Sequence, residues 1–221
     1  NWSFMDKHGG VCCGRPLMLA GIDREARELT NYNSQLIEKS GAHTLVTSCP
    51  ICYKVFRESY YLDAEVLHHS QFIKNIIDEG LVDLNFLQKR VSYHSPCELG
   101  RRSGVYYEPR EVIKHVATLE ATGFDDENSL CCGGSLGNIM LSRDKRQKIA
   151  EDVCTRLTEC SPDSLITACP LCKKTLSQAT GTRVMDIAEL AVEALADTTG
   201  LKKLPDRSKN KLLKEPATSL R

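Results

Sequence analysis

The sequence predicts an α/β fold made of two tandem, pseudo-symmetric Rossmann-like modules with short parallel sheets. Three observations carry that prediction. Cys12-Cys13-Gly14 recurs 119 residues later as Cys131-Cys132-Gly133, and Cys49-Pro50-Ile51-Cys52 recurs 120 residues later as Cys169-Pro170-Leu171-Cys172. Shifts that agree this closely mark a duplicated unit rather than a scatter of thiols. Short apolar runs end at each Cys-Pro, as strands do when they hand over to a helix. Strand-like and helix-like segments then alternate along the chain, the pattern of parallel layers. The expected division is a first module at residues 1–88, a second at 89–196 and a flexible basic tail at 197–221.

The elements follow in order. Residues 45–48 and 165–168 read as equivalent strands, and Pro50 and Pro170 then sit at a first helical position, so each CxxC is expected at a strand-to-helix junction. Residues 64–67 form a strand followed by a helix at 71–79, and 91–94 opens the second module as a strand. From 142 to 157, Ile149, Ala150, Val153, Cys154 and Leu157 make an apolar stripe behind a charged first turn, which predicts an amphipathic helix. A strand at 183–185 leads into a helix at 187–196, and the remaining tail carries seven basic and three acidic residues on a solvated segment.

Composition narrows the function. Lys plus Arg and Asp plus Glu both total 29 in 221 residues, so the chain has no basic field of the kind that marks a nucleic-acid partner. No apolar run approaches the ~20 residues of a membrane span, and the first 15 residues have no signal-peptide core. The expectation is a cytoplasmic chain without a direct membrane span, associated with membranes only through a partner. Its 11 cysteines are then the anomaly. A reducing compartment argues against a disulfide framework, which leaves metal or redox chemistry.

The second module offers Cys97, then after 33 residues Cys131 and Cys132, then after 36 more Cys169 and Cys172. That is five thiols where a structural zinc takes four, and five soft ligands suit a polynuclear iron–sulfur centre. Gly14 and Gly133 let the backbone turn beside inorganic sulfide without a Cβ in the way. Helix N-termini after each CxxC would favour a negatively charged cluster. The first module supplies Cys12, Cys13, Cys49 and Cys52 but no counterpart of Cys97; the repeat puts that position about 22 residues upstream of Asn1, so a longer polypeptide is expected. Cys154 and Cys160 align with Gln35 and Gly41 and are expected to be structural or incidental thiols.

Other candidates are weighed against plainer roles. His94, three residues before Cys97, reads as an orienting or structural group ahead of a proton donor. His68 and His69 read as surface or satisfied histidines pointing to opposite sides of a strand. Arg101 and Arg102 divide evenly between an anionic-substrate site and a solvated pair, while Lys54 and Lys174 decorate a helix or compensate cluster charge.

The cysteine pattern resembles the cysteine-rich CCG domain of heterodisulfide reductase catalytic subunits, and similar paired domains occur in iron–sulfur subunits of glycolate, lactate and glycerol-3-phosphate oxidation systems. Residues 93–101, Tyr-His-Ser-Pro-Cys-Glu-Leu-Gly-Arg, carry the likeness further, with Ser95 standing where an acidic residue is usual. The resemblance covers roughly residues 8–196. It implies two α/β domains, each holding a non-cubane 4Fe-4S cluster: Cys97, Cys131, Cys132, Cys169 and Cys172 for one, and Cys12, Cys13, Cys49 and Cys52 for the other. It further implies an oxidoreductase that passes electrons to a disulfide or quinone-type acceptor, fed by a flavoprotein or ferredoxin-type domain or subunit. Two alternatives stay open from the residues: a cluster-free thiol–disulfide oxidoreductase, and a structural zinc or scaffold subunit with zinc in one module or both.

Overall fold

Every predicted strand forms, each within a residue of its expected place. The computed structural model describes residues 2–195, so the tail at 197–221 and the last residue of the helix expected at 187–196 lie outside the described residues. Two helices, α1 (Arg15–Leu19) and α2 (Asp23–Ser40), precede β1 (Thr44–Thr47). The chain continues through α3 (Pro50–Glu58), β2 (Glu65–His68) and α4 (His69–Asp78). β1 and β2 pair in parallel, with Thr44 opposite Glu65 and Thr47 opposite His68. β3 (Arg90–His94), α5 (Gly100–Ser103), α6 (Tyr107–Val116) and β4 (Thr118–Leu119) follow. α7 (Arg143–Leu157), β5 (Ser164–Thr167), α8 (Pro170–Ser177), β6 (Val184–Asp186) and α9 (Ile187–Glu193) complete the order. The second sheet has four parallel strands in the order β4-β3-β5-β6, which sets His94 opposite Thr167.

Local chemistry explains these boundaries. β5, Ser-Leu-Ile-Thr, is buried along its whole length and lies between two other strands, so it shows no alternation of buried and exposed positions. Pro50 and Pro170 open α3 and α8 directly after an extended cysteine, where a missing N–H costs nothing. α7 starts on Ser142, whose hydroxyl accepts the Lys145 N–H. α4 and α9 both begin with a reciprocal capping box, His68 with Gln71 and Asp186 with Glu189.

The largest hydrophobic cluster draws on both sides of residues 88/89. Tyr53 of α3 is 2% exposed and packs with Val91, Tyr93, Val112 and Ile166, while Ile73 and Ile77 of α4 cover the same cluster. α4 lies against α6 and α9. α2 and α6 were not expected from the sequence. α2 buries only Ala26, Asn33 and Ile37, so a polar residue interrupts its apolar stripe; α6 carries Pro109 within its first turn, which reads as a breaker. Among the described residues no helix is long and apolar enough to cross a membrane.

Candidate metal centres

At the end of the four-stranded sheet, five thiols stand in one unbroken chain of side-chain contacts. Cys97 meets Cys131, Cys131 meets Cys132, Cys132 meets Cys172, and Cys172 meets Cys169. The Cys132 and Cys172 sulfurs are 3.3 Å apart. Cys97 follows β3, Cys169 follows β5 and caps α8, and Cys131 and Cys132 arrive on the loop before α7. At the end of the two-stranded sheet four thiols repeat the arrangement: Cys12 meets Cys13, Cys13 meets Cys52, and Cys52 meets Cys49. All nine expected cysteines therefore fall into two groups, each assembled from the segments that the sequence spacing separates.

Backbone N–H groups converge on the same sulfurs. Cys49 accepts from Ile51 and Cys52 at the start of α3, and Cys169 accepts from Leu171 and Cys172 at the start of α8. Cys131 accepts from Gly133, Cys132 from Gly134, and Cys13 from Arg15. The turns that aim these donors need φ values of 89° at Gly14 and 82° at Gly133, which glycine adopts without strain. Asn138 adds a side-chain amide 3.8 Å from the Cys131 sulfur.

The thiols cannot all ionise together. Contact with the Cys52 thiol lowers both Cys13 and Cys49 to about 6, and the same contacts push Cys52 up. Cys132 and Cys169 likewise push Cys172 up, and contacts from Cys132 and Cys97 hold Cys131 far down. Cys52 and Cys172, one repeat apart, each touch two other thiols of their group. Clustered sulfurs that share protons, fed by backbone donors, fit a centre whose cations let every sulfur become thiolate. Among the described residues no three or more His, Cys, Asp or Glu side chains converge as they would on a single ion. The donor set, four or five sulfurs in a chain, fits a polynuclear iron–sulfur cluster.

The remaining candidates find other partners. His94 is 1% exposed; its Nε2 donates to the Leu130 carbonyl at 3.1 Å, and its Nδ1 lies 3.2 Å from the Thr167 hydroxyl, which also stands 3.2 Å from the His94 carbonyl. Burial lowers it to about 4, and the neutral ring is tied to the carbonyl of the residue before Cys131. His68 and His69 are both buried, not surface groups, and their rings lie 4.3 Å apart instead of on opposite sides. His69 reaches the Asp186 carboxylate of the second half at 2.9 Å, a meeting that no local pattern reveals. Arg101 donates to the Ser129 and Glu127 carbonyls, and Arg102 pairs with Glu98, so both are engaged by the protein itself. Lys54 bonds Glu58 and the Arg102 carbonyl, linking α3 to α5. Cys154 is buried in the α7 stripe, and the carbonyl of Cys160 accepts from Arg90.

Two residues missed by sequence reasoning hold the first site. Asn33, fully buried on α2, accepts the Val11 N–H at 3.1 Å and donates to the Val11 and Cys12 carbonyls at 3.2 Å each. The Tyr60 hydroxyl, 3.1 Å from the same Asn33 nitrogen, shares its two N–H groups with these carbonyls and donates to the Cys13 carbonyl at 3.2 Å. An asparagine on the otherwise apolar face of a helix is the one local sign of such a role.

Known proteins are similar to this chain in sequence. The chain is 31% identical over 205 residues to one of the subunits of the dihydromethanophenazine:CoB–CoM heterodisulfide reductase of Methanosarcina barkeri, covering 85% of the chain and 50% of that protein. It is 30% identical over 164 residues to an uncharacterized iron–sulfur protein of Methanocaldococcus jannaschii, covering 74% and 32%. It is 25% identical over 206 residues to an EtfAB:quinone oxidoreductase of Syntrophomonas wolfei, covering 83% and 28%. The chain thus spans about half the length of these curated relatives or less. The cysteine-rich domain known as CCG matches residues 2–57 and 91–177, the two stretches that carry both thiol groups, and the chain belongs to that family.

Proposed function

We propose that this chain is the cluster-bearing part of an iron–sulfur oxidoreductase, built as two pseudo-symmetric modules at residues 1–88 and 89–196. The observation that carries the reading is the pair of matched sulfur chains, Cys12–Cys13–Cys52–Cys49 and Cys131–Cys132–Cys172–Cys169, with Cys97 joined to the second. The order strand, helix, strand, helix that follows from β1 and again from β5 supports it, as do the two capping boxes. The five-cysteine set would hold one cluster of the non-cubane 4Fe-4S type, and the four-cysteine set the other.

Such a cluster, when bound, supplies single electrons and an iron that can receive a thiolate. The chain's own groups do the rest. Its cysteines bind, its backbone N–H groups offset the negative charge of the sulfurs, and burial of Cys13, Cys132, Cys169 and Cys172 excludes water. The similarity to a heterodisulfide reductase subunit and to a quinone oxidoreductase supports a disulfide or quinone-type acceptor, and a flavoprotein or ferredoxin-type domain is the donor suited to single-electron delivery.

Anaerobic reconstitution with iron and sulfide tests the reading. The expected result is a brown protein with about four iron and four sulfide at each cysteine set, those of the five-cysteine set being lost in Cys131→Ser and Cys172→Ser. Zinc uptake without sulfide, or reversible Cys49–Cys52 disulfide formation with no metal uptake, would overturn it.

A further inference from the structure

A cationic cleft opens between α3 and α5. It holds about 200 Å³ and is lined by Tyr53, Lys54, Arg57 and Glu58 of α3 and by Arg102 and Ser103 of α5. Each wall is tied to a cysteine of a different set. The Tyr53 N–H donates to the Cys49 carbonyl at 2.9 Å, and the Arg102 N–H donates to the Cys97 carbonyl at 3.1 Å. Lys54 joins the walls: its ammonium, on a side chain only 18% exposed, bonds Glu58 and, at 3.2 Å, the Arg102 carbonyl.

Most of the donors here are unspent. A guanidinium is a fork of several N–H groups. Among the described residues Arg57 uses one, on the Tyr53 hydroxyl at 2.9 Å, and Arg102 uses none, since Glu98 stands 3.7 Å from its Nε. The Arg57 guanidinium lies 5.3 Å from the centre of the Tyr53 ring, which holds that fork in place. Tyr53 is buried, takes the Arg57 bond on its oxygen and keeps its phenol proton to donate. Lys54, Arg57 and Arg102 thus face two carboxylates, Glu58 and Glu98, and only Glu58 lines the cleft. The second CxxC helix does not repeat these features. Lys173 and Ser177 stand 120 residues beyond Tyr53 and Arg57, and Lys173 pairs with Glu189. The cysteine frame is duplicated and the cleft is not, so its cations serve something other than the thiols.

We propose that this cleft binds a phosphate group, free or at the end of an organic ligand. Guanidinium forks on two walls, an ammonium and a buried phenol offer donors from several directions, which matches a tetrahedral oxyanion better than a planar carboxylate. The volume suits one such group, whereas sites for whole ligands run to about 300–1,000 Å³. Because the walls hang on the Cys49 and Cys97 carbonyls, the phosphate sits between segments that carry the two thiol sets. The site belongs to the metal-free chain and stands apart from the cluster reading.

Isothermal titration calorimetry on the reduced, metal-free chain tests it, with sodium chloride holding the ionic strength constant so that general screening cancels. Inorganic phosphate is expected to bind at one saturable site, and acetate about tenfold more weakly. Arg57→Gln and Arg102→Gln are each expected to weaken phosphate about tenfold, the loss of one charge-assisted hydrogen bond. Glu58→Gln is expected to tighten it severalfold by removing the carboxylate that competes for Lys54, a gain that a merely structural role does not produce. Arg57, Glu58 and Arg102 are exposed, so none of the three substitutions disturbs the core. Phenyl phosphate binding as well as inorganic phosphate supports an organic ligand, and inorganic phosphate binding alone supports the free ion. An absence of saturable binding, acetate equal to phosphate, or unchanged affinity in both arginine variants would overturn the proposal.

Discussion

His68 and His94 share one device: a buried, neutral ring whose Nε2–H enters the carbonyl just before a cysteine, Ser48 ahead of Cys49 and Leu130 ahead of Cys131. Burial lowers them to about 3 and about 4, against about 6.5 for an exposed imidazole. Between those values the unfolded chain binds a proton that the folded chain refuses, so stability is complete above 6.5 and drains away as the pH falls toward 4. For His94 alone this is of order 3 kcal/mol. Urea unfolding midpoints measured from pH 7 down to pH 4.5 are expected to fall steeply in the wild type and less steeply in His94→Gln. The nine cysteines were legible at this scale because spacing along the chain records them. His68 was not, because nothing in its neighbouring residues shows that the ring is fully buried.

At the scale of elements, the two CCG turns have the same shape but different anchors. The second is tied by His94 and by Arg101, which grips the Ser129 carbonyl; the first is tied by Asn33 of α2 and by Tyr60 after α3. Asn33→Ala removes bonds to both carbonyls of Val11 and Cys12 and is expected to cost about 2 kcal/mol, with Tyr60→Phe costing about 1 kcal/mol. Thermal melts measure both, and limited proteolysis is expected to open Asn33→Ala first near residues 10–14. The strands and their Cys-Pro junctions were legible because extended apolar runs and proline each restrict the backbone locally. α2 was not, because its buried face is organised around a hydrogen-bonding amide that no hydrophobic period counts.

Across the whole molecule, the shared cluster makes the halves interdependent. Tyr53 belongs to the first CxxC helix by sequence and to the core of the second sheet by packing, with its hydroxyl accepting from Arg57. Tyr53→Ala is expected to cost about 4 kcal/mol and to lower one common transition. Far-UV dichroism and the thiol accessibility of both CxxC pairs should follow a single denaturation curve; separate curves would show that the halves unfold independently. The sequence by itself determined the duplicated cysteine frame, the strand-to-helix junctions and the family, since each depends on residues close together or on repeats of fixed period. Only the tertiary structure decided that the thiols of each set touch in one chain, that Arg101 and Lys54 bond main-chain carbonyls, and that His69 meets Asp186 from the other half of the chain. Those outcomes depend on which surfaces pack together, and burial by a distant segment is a property that no local window contains.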